Sequence, residues 1–134
     1  MRKRNRWLVK AILSASLMSF FSISLAKVDH KQAHVQSLKA GIASFYNDKY
    51  HGRATTSGET YDKNALTAAH NKLPMGTRLR VTNLKNNRSV VVRVNDRLHA
   101  PNKRLIDVSK KAAKELGFLT AGLTKVKIEI LSIG

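Results

Sequence analysis

From Lys125 to Leu131 the chain alternates. Val126, Ile128 and Ile130 fall on one side, and Lys125, Lys127 and Glu129 on the other. A period of two is that of a β-strand with one wet face. Arg78–Thr82 and Ser89–Asn95 are valine-rich segments of the same kind, separated by Asn86-Asn87. Asparagine tolerates the left-handed backbone of a tight turn, so the two predict a hairpin. Ala40–Tyr46 predicts an earlier strand, Ala65–Ala69 is an apolar run, and Leu105–Val108 is a short strand. Between the first two, Asn47–Thr60 is rich in Gly, Thr, Ser and Asn and predicts a long loop. Leu73-Pro74-Met75-Gly76 predicts a turn, with proline presetting φ and glycine free to take φ > 0. Ser109 is placed to cap a helix over Lys110–Leu116, and Gly117 to end it. Val108 and Ala113 fall at the staple positions on either side of that cap. Short strands with one short helix predict a small all-β barrel.

The first residues read differently. Met1–Lys10 holds five bases (Arg2, Lys3, Arg4, Arg6 and Lys10) and no acid, and an apolar run follows from Ala11 to Ala26. The run ends in Ser24-Leu25-Ala26, a small-x-small cleavage pattern. Residues 1–26 therefore predict a secretory signal peptide. The run is short and interrupted by serines, so stable membrane insertion is not expected after cleavage. Residues 27–39 read as a basic linker without hydrophobic period, and 40–134 as one folded domain with a single core.

Composition then narrows the partners. After Ala26 there remain twenty Lys and Arg against eight acids, a net charge of +12, and no cysteine. A lipid-anchored bacterial precursor needs a cysteine at its cleavage site, so a released monomer in the periplasm or outside the cell is expected. Such basicity outside the cytoplasm points to polyanions of the envelope, among them the carboxylates of peptidoglycan, although solubility alone also accounts for it. Export and the lack of an aromatic-basic stacking motif argue against nucleic acid.

With eight acids in the chain, each carboxylate is scarce. Glu59 stands in Ser57-Gly58-Glu59, Asp96 in Val94-Asn95-Asp96-Arg97, and Asp107 in Leu105-Ile106-Asp107-Val108-Ser109; His70 follows Ala68-Ala69. Carboxylates beside a histidine can move protons. Each also has a plain structural reading. Asp107 can favour the N-terminus of the helix that follows, Asp96 can form a turn, and His70 can be a satisfied core histidine. Tyr46, Tyr50 and Tyr61 can line a sugar groove or pack in the core. His51, His70 and His99 lack close ligand spacing, so neither metal nor cofactor is expected.

Ordered motifs connect these residues. They are Gly41-Ile-Ala-Ser-Phe-Tyr46, His51-Gly52-Arg53, Thr56-Ser57-Gly58-Glu59, Tyr61-Asp62, Leu66-Thr-Ala-Ala-His70, Leu73-Pro-Met-Gly-Thr77, Val81-Thr-Asn83, Val90-Val-Val-Arg-Val-Asn-Asp-Arg97 and Arg104-Leu-Ile-Asp-Val-Ser109. In order and approximate spacing, over Ala40–Leu131, the chain resembles the rare lipoprotein A (RlpA-like) family. The resemblance implies an all-β, six-stranded double-psi β-barrel with one or two short helices. It implies a lytic transglycosylase that cuts peptidoglycan glycan strands between N-acetylmuramic acid and N-acetylglucosamine, leaving 1,6-anhydro ends. It carries over Glu59, Asp62, His70 and Asp96, and Asp107 is similar to the catalytic aspartate of related double-psi enzymes. Glu59, His70, Asp96 and Asp107 are thus the expected catalytic set, and Tyr46, Asp62, Asn95 and Arg97 the expected substrate contacts. Residue types alone do not rank Glu59, Asp96 and Asp107 as proton donor.

The chain departs from the family pattern in three places. Leu98-His99 stands where Gly-Pro is usual, Lys103 where Gly precedes the arginine, and Asn87 where the hairpin commonly has Gly. The change beside Asp96 leaves open a non-catalytic, expansin-like peptidoglycan-binding module.

Overall fold

The computed structural model describes residues 39–99 and 103–134. The expected signal peptide and nearly all of the expected linker lie outside the described residues. Six strands form one closed barrel. They are β1 (Lys39–Phe45), β2 (Thr67–Ala69), β3 (Arg78–Asn83), β4 (Ser89–Asp96), β5 (Ile106–Val108) and β6 (Thr124–Ser132). Around the barrel the order is β1-β5-β2-β4-β3-β6. The expected hairpin is β3–β4, antiparallel, with Leu79 opposite Val92 and Val81 opposite Val90. Two pairs are parallel, β1 with β5 and β2 with β4. Closure leaves no sheet edge, and this suits a small domain without disulfides.

The period-two pattern explains the core. Leu79 and Val81 of β3, Val92 and Val94 of β4, and Val126 and Ile128 of β6 all point inward with 3% exposure or less. Ile106 and Val108 of β5 close the same core. The helix α1 (Lys110–Leu116) covers one end through Ala112, Ala113 and Leu116. Its ends match the sequence expectation. The Ser109 side chain accepts from the Ala112 N–H, and Gly117 takes φ 76°. Asn83 and Asn86 each donate a side-chain N–H to the Leu116 carbonyl at 2.9 Å, satisfying a helix-end acceptor. Phe118, just beyond, packs edge-on against Phe45.

Three local features shape the barrel mouth. Within the expected loop the chain makes a short 3₁₀ turn, Asp48–Tyr50, capped by the Asn47 side chain. An isolated bridge between Ala54 and Thr60 then pinches the rest into a small lobe. On β4 the pairing skips Asn95, because Ala68 opposes Val94 while Ala69 opposes Asp96. That bulge re-aims the end of β4, a common device beside functional sites. Asn87, in place of the usual glycine, has φ 60° and is the one described non-glycine residue with positive φ. Asparagine is among the few residues that accept this conformation readily.

Candidate active site

The ends of β1, β4 and β5 meet the 47–61 segment around a groove of about 440 Å³. Asp96 and Asp107 both line it, with Tyr46, Tyr50, Tyr61, Arg53, Thr55, Thr56, His99 and Arg104. Strand β2 lies between the two carboxylate-bearing strands, parallel to β4 and antiparallel to β5: Ala69 is opposite Asp107 on one side and Asp96 on the other.

The two carboxylates are held differently. Asp96 Oδ2 accepts one hydrogen bond, from the Tyr46 hydroxyl at 2.7 Å. Its Oδ1 accepts from the Thr56 N–H at 2.9 Å, the Thr56 hydroxyl at 2.8 Å and the Arg97 N–H at 2.8 Å. Burial alone would raise the Asp96 pKa, but the Tyr46, Thr56 and Arg97 donors outweigh it and hold the carboxyl below its usual range. Burial first, and then the bond to Asp96, push the Tyr46 phenol far above its usual value, so it stays a donor. Asp107 is 8% exposed and gripped from one side by the Arg104 fork, Nε to Oδ1 at 2.7 Å and Nη2 to Oδ2 at 2.9 Å. A fork of this kind fixes a carboxylate in one plane.

Aromatic rings form the other wall. The Tyr61 ring meets Tyr46 edge-on with centroids 4.3 Å apart, and Tyr50 lies tilted at 6.1 Å. Lys49 and Arg53 both lie over Tyr50, at 5.2 and 5.7 Å. Faces and edges of tyrosine beside cations suit a hydroxyl-rich, anionic chain such as a sugar polymer.

The remaining expected residues stand outside the groove lining. Glu59 binds Arg93 with both oxygens, at 2.7 and 2.8 Å, and accepts from Asn95 Nδ2 at 3.2 Å. Arg93 first, then Asn95, hold its carboxyl low. His70 is 5% exposed, and its Nδ1 accepts from the Lys72 and Leu73 N–H groups at 3.1 and 3.3 Å. This assigns its proton to Nε2. Burial first, then the charges of Lys39, Arg97 and Lys72, lower its pKa. Its backbone N–H donates to the Asp96 carbonyl. Arg97 reaches back to the His70 carbonyl at 2.7 Å. Asp62 is exposed and accepts from the Asn64 N–H within its own turn. Asn95 is 2% exposed and lies under Glu59. Of the eight expected site residues, the fold brings Asp96, Asp107 and Tyr46 into one groove.

Thr56 and Arg104 are the contacts that sequence reasoning missed as site residues. Thr56 reaches Asp96 across forty positions, so spacing carried no signal. Arg104 stands three before Asp107, a spacing that pairs side chains only once the strand start is known to bend. Leu98, the family departure, is 7% exposed, and its N–H donates to the Asn71 side chain. Leu98 thus folds inward, while His99, the other half of the departure, is exposed and lines the groove. A larger concavity, about 730 Å³, lies between Lys63 and α1. It is lined mostly by lysines with Glu115 as its one acid, so it lacks the carboxylate pair that bond-breaking chemistry needs.

The chain is 53% identical over 94 residues to the endolytic peptidoglycan transglycosylase RlpA of Campylobacter jejuni, covering 70% of this chain and 34% of that one. It is 46% identical over 117 residues to its namesake from Neisseria meningitidis, covering 87% and 49%. The chain thus spans between a third and a half of the length of these curated relatives. Among solved structures, the Streptomyces papain inhibitor superposes with a TM-score of 0.60 at 20% identity, over 73% of this chain and 97% of that one. An expansin of Clavibacter michiganensis gives 0.58 at 21%, over 72% and 51%. At such identities the likeness is one of fold. A family model described as lytic transglycolase matches residues 38–128, well over half of the sequence, and the chain belongs to that family.

Proposed function

We propose that the chain cleaves peptidoglycan glycan strands as a lytic transglycosylase, acting outside the cytoplasmic membrane, with Asp96 as its proton-handling group. The observation that carries the reading is the pairing of Asp96 with Tyr46 in a tyrosine-walled groove that also holds Asp107. Family membership and the names of the relatives support the substrate.

Breaking a glycosidic bond needs a proton on the leaving oxygen and stabilisation of positive charge on the sugar ring. In a lytic transglycosylase the C6 hydroxyl of the muramic acid attacks its own C1, so no water is activated. An internal nucleophile already has a high effective concentration. One carboxyl can then give its proton to the leaving oxygen and take the C6 proton back as the new C–O bond forms. Asp96 Oδ2 suits that role, because it carries one donor where Oδ1 carries three. A glycan filling the groove strips water from this carboxyl and raises its affinity for a proton. Asp107, locked in the Arg104 fork, offers fixed negative charge to the developing oxocarbenium. Tyr50 gives the sugar rings a surface to lie against, with Tyr61 buried behind it against Tyr46.

Incubation of the purified protein with peptidoglycan, followed by mass spectrometry, tests the proposal. Products ending in 1,6-anhydro-muramic acid are expected. Reducing ends would mean hydrolysis, and retained binding without any product would favour a non-catalytic wall-binding module.

A further inference from the structure

The lobe between Arg53 and Thr60 has no buried residue and no apolar anchor. Polar contacts alone hold it to the barrel. The Ser57 N–H reaches the Asn95 carbonyl at 3.3 Å, and Thr56 reaches Asp96 with both backbone and side chain. Its base is tied through Arg53, whose carbonyl accepts from the Tyr61 N–H at 2.8 Å, and its remaining tie is Glu59, whose two oxygens meet Arg93 and Asn95. Arg93 and Asn95 stand two apart on β4, and both reach the Glu59 carboxylate. One end of the lobe is thus clamped at Glu59, and three residues earlier Thr56 clamps the carboxylate of Asp96.

Asn95 adds a second observation. Its Nδ2 donates to Glu59, while its buried Oδ1 has no hydrogen-bond partner. Turning the amide round would set Oδ1 against a carboxylate. The barrel therefore tolerates an unsatisfied buried oxygen, which costs stability, beside the amide's bond to Glu59. Residues that cost stability without a packing return are those expected at working positions.

We propose that Arg93, with Asn95, is a latch that grips Glu59 and holds the lobe where Thr56 fixes Asp96. Arg93 and Glu59 are positioning residues in this account, and Glu59 does not itself move the proton. The effect of the latch on rate rests on the transglycosylase reading. Its effect on the Asp96 carboxyl does not. Asp96 is faced by Tyr46 just after β1, by Asp107, Arg104 and His99 around the groove, by the N–H of Arg97 just past the end of β4 and by Thr56 from the lobe. Of these, Thr56 is the contact that the latch controls.

The test uses the full chain and two readings, the carboxyl titration of Asp96 by carbon-detected NMR and the rate of anhydro-muramyl release. Arg93→Met frees the lobe, so the Asp96 midpoint rises toward the ordinary carboxylate value and the rate falls about tenfold or more, since small misplacements of a reacting group carry large losses. Thr56→Val raises the midpoint with the latch intact. Arg93→Lys restores part of both readings, as it keeps the charge but loses the fork. Glu59→Gln, at an exposed position, gives a loss no greater than Arg93→Met and serves as the reading should that variant not fold. Wild-type titration and rate in both Arg93→Met and Glu59→Gln overturn the latch. Abolished turnover in Glu59→Gln, with Arg93→Met active and its Asp96 titration unmoved, also overturns it and makes Glu59 a group that acts on substrate. A wild-type protein that releases no anhydro product sinks the transglycosylase reading, while the titration still decides the latch.

Discussion

Leu79, Val81, Val126 and Ile128 hold the β3–β6 wall with 3% exposure or less, whereas between Arg53 and Thr60 no residue is buried. The wall is joined by a ladder running from Arg78 opposite Ser132 to Asn83 opposite Val126. The lobe is joined by carboxylates, hydroxyls and one guanidinium. Burial of apolar surface is non-directional and indifferent to pH, so the wall sets the shape. Charged hydrogen bonds are directional and respond to proton and salt, so the lobe sets the chemistry. The groove lies at the seam between barrel and lobe, with Asp96 at the last residue of β4, the strand paired with β3 of the wall, and Thr56 on the lobe.

Substitutions on either side of that seam should act on different readouts. The largest effect is expected from Asp96→Asn, which keeps the shape and removes the proton-handling group. Turnover should fall by about a thousandfold, roughly 4 kcal/mol of barrier, with a much smaller loss of unfolding free energy. A fall in stability of matching size would instead make Asp96 a structural residue. Next is Leu79→Ala in the wall, with Leu79 fully buried. Denaturant unfolding should show a loss of about 3 kcal/mol, while kcat below the new midpoint stays near wild type. Large activity loss in the remaining folded fraction would blur the distinction between wall and lobe.

A smaller effect links the two through pH. His70 accepts two backbone N–H groups on Nδ1, and its pKa is lowered by burial and by neighbouring positive charge. Its contribution is therefore complete above the unfolded histidine value of about 6.5 and is lost as pH falls through the lower folded value. Asp96, also lowered, adds a loss further down, below the ordinary carboxylate range of about 3.9. Unfolding free energy should thus decline in two steps as pH drops from 7 to 3. His70→Asn, whose side-chain oxygen can accept the same bonds without titrating, should erase the upper step. An unchanged upper step would place its origin elsewhere.

What the sequence made legible follows the same division. The alternation around Val126 and Ile128, the Asn86-Asn87 hairpin and the Ser109 and Gly117 helix ends are local, and each appears where its pattern put it. Parallel pairing of β1 with β5 and of β2 with β4 joins segments far apart in the chain and leaves no periodic trace. The run of short strands pointed to a small barrel, and family resemblance supplied its six-stranded double-psi form. In the site, Asp96 and Asp107 stood out by scarcity, since the chain has so few acids. Their partners did not, because Tyr46 lies fifty positions from Asp96 and Arg93 thirty-four from Glu59. A carboxylate's identity can be read from a sequence, but the donors that set its proton affinity belong to the fold. This is why Glu59, Asp96 and Asp107 looked alike in sequence and differ in the structure: one latched outside the groove, one held by neutral donors, one locked by a guanidinium fork.

Digestion of peptidoglycan in heavy-oxygen water tests the account most directly. The new bond at C1 is made by the sugar's own C6 oxygen, so the muramic ends released by the wild-type protein should be anhydro and carry no heavy oxygen, and Asp96→Asn should release none. Heavy oxygen at C1 of the released ends would mean that water is the nucleophile, and would contradict it.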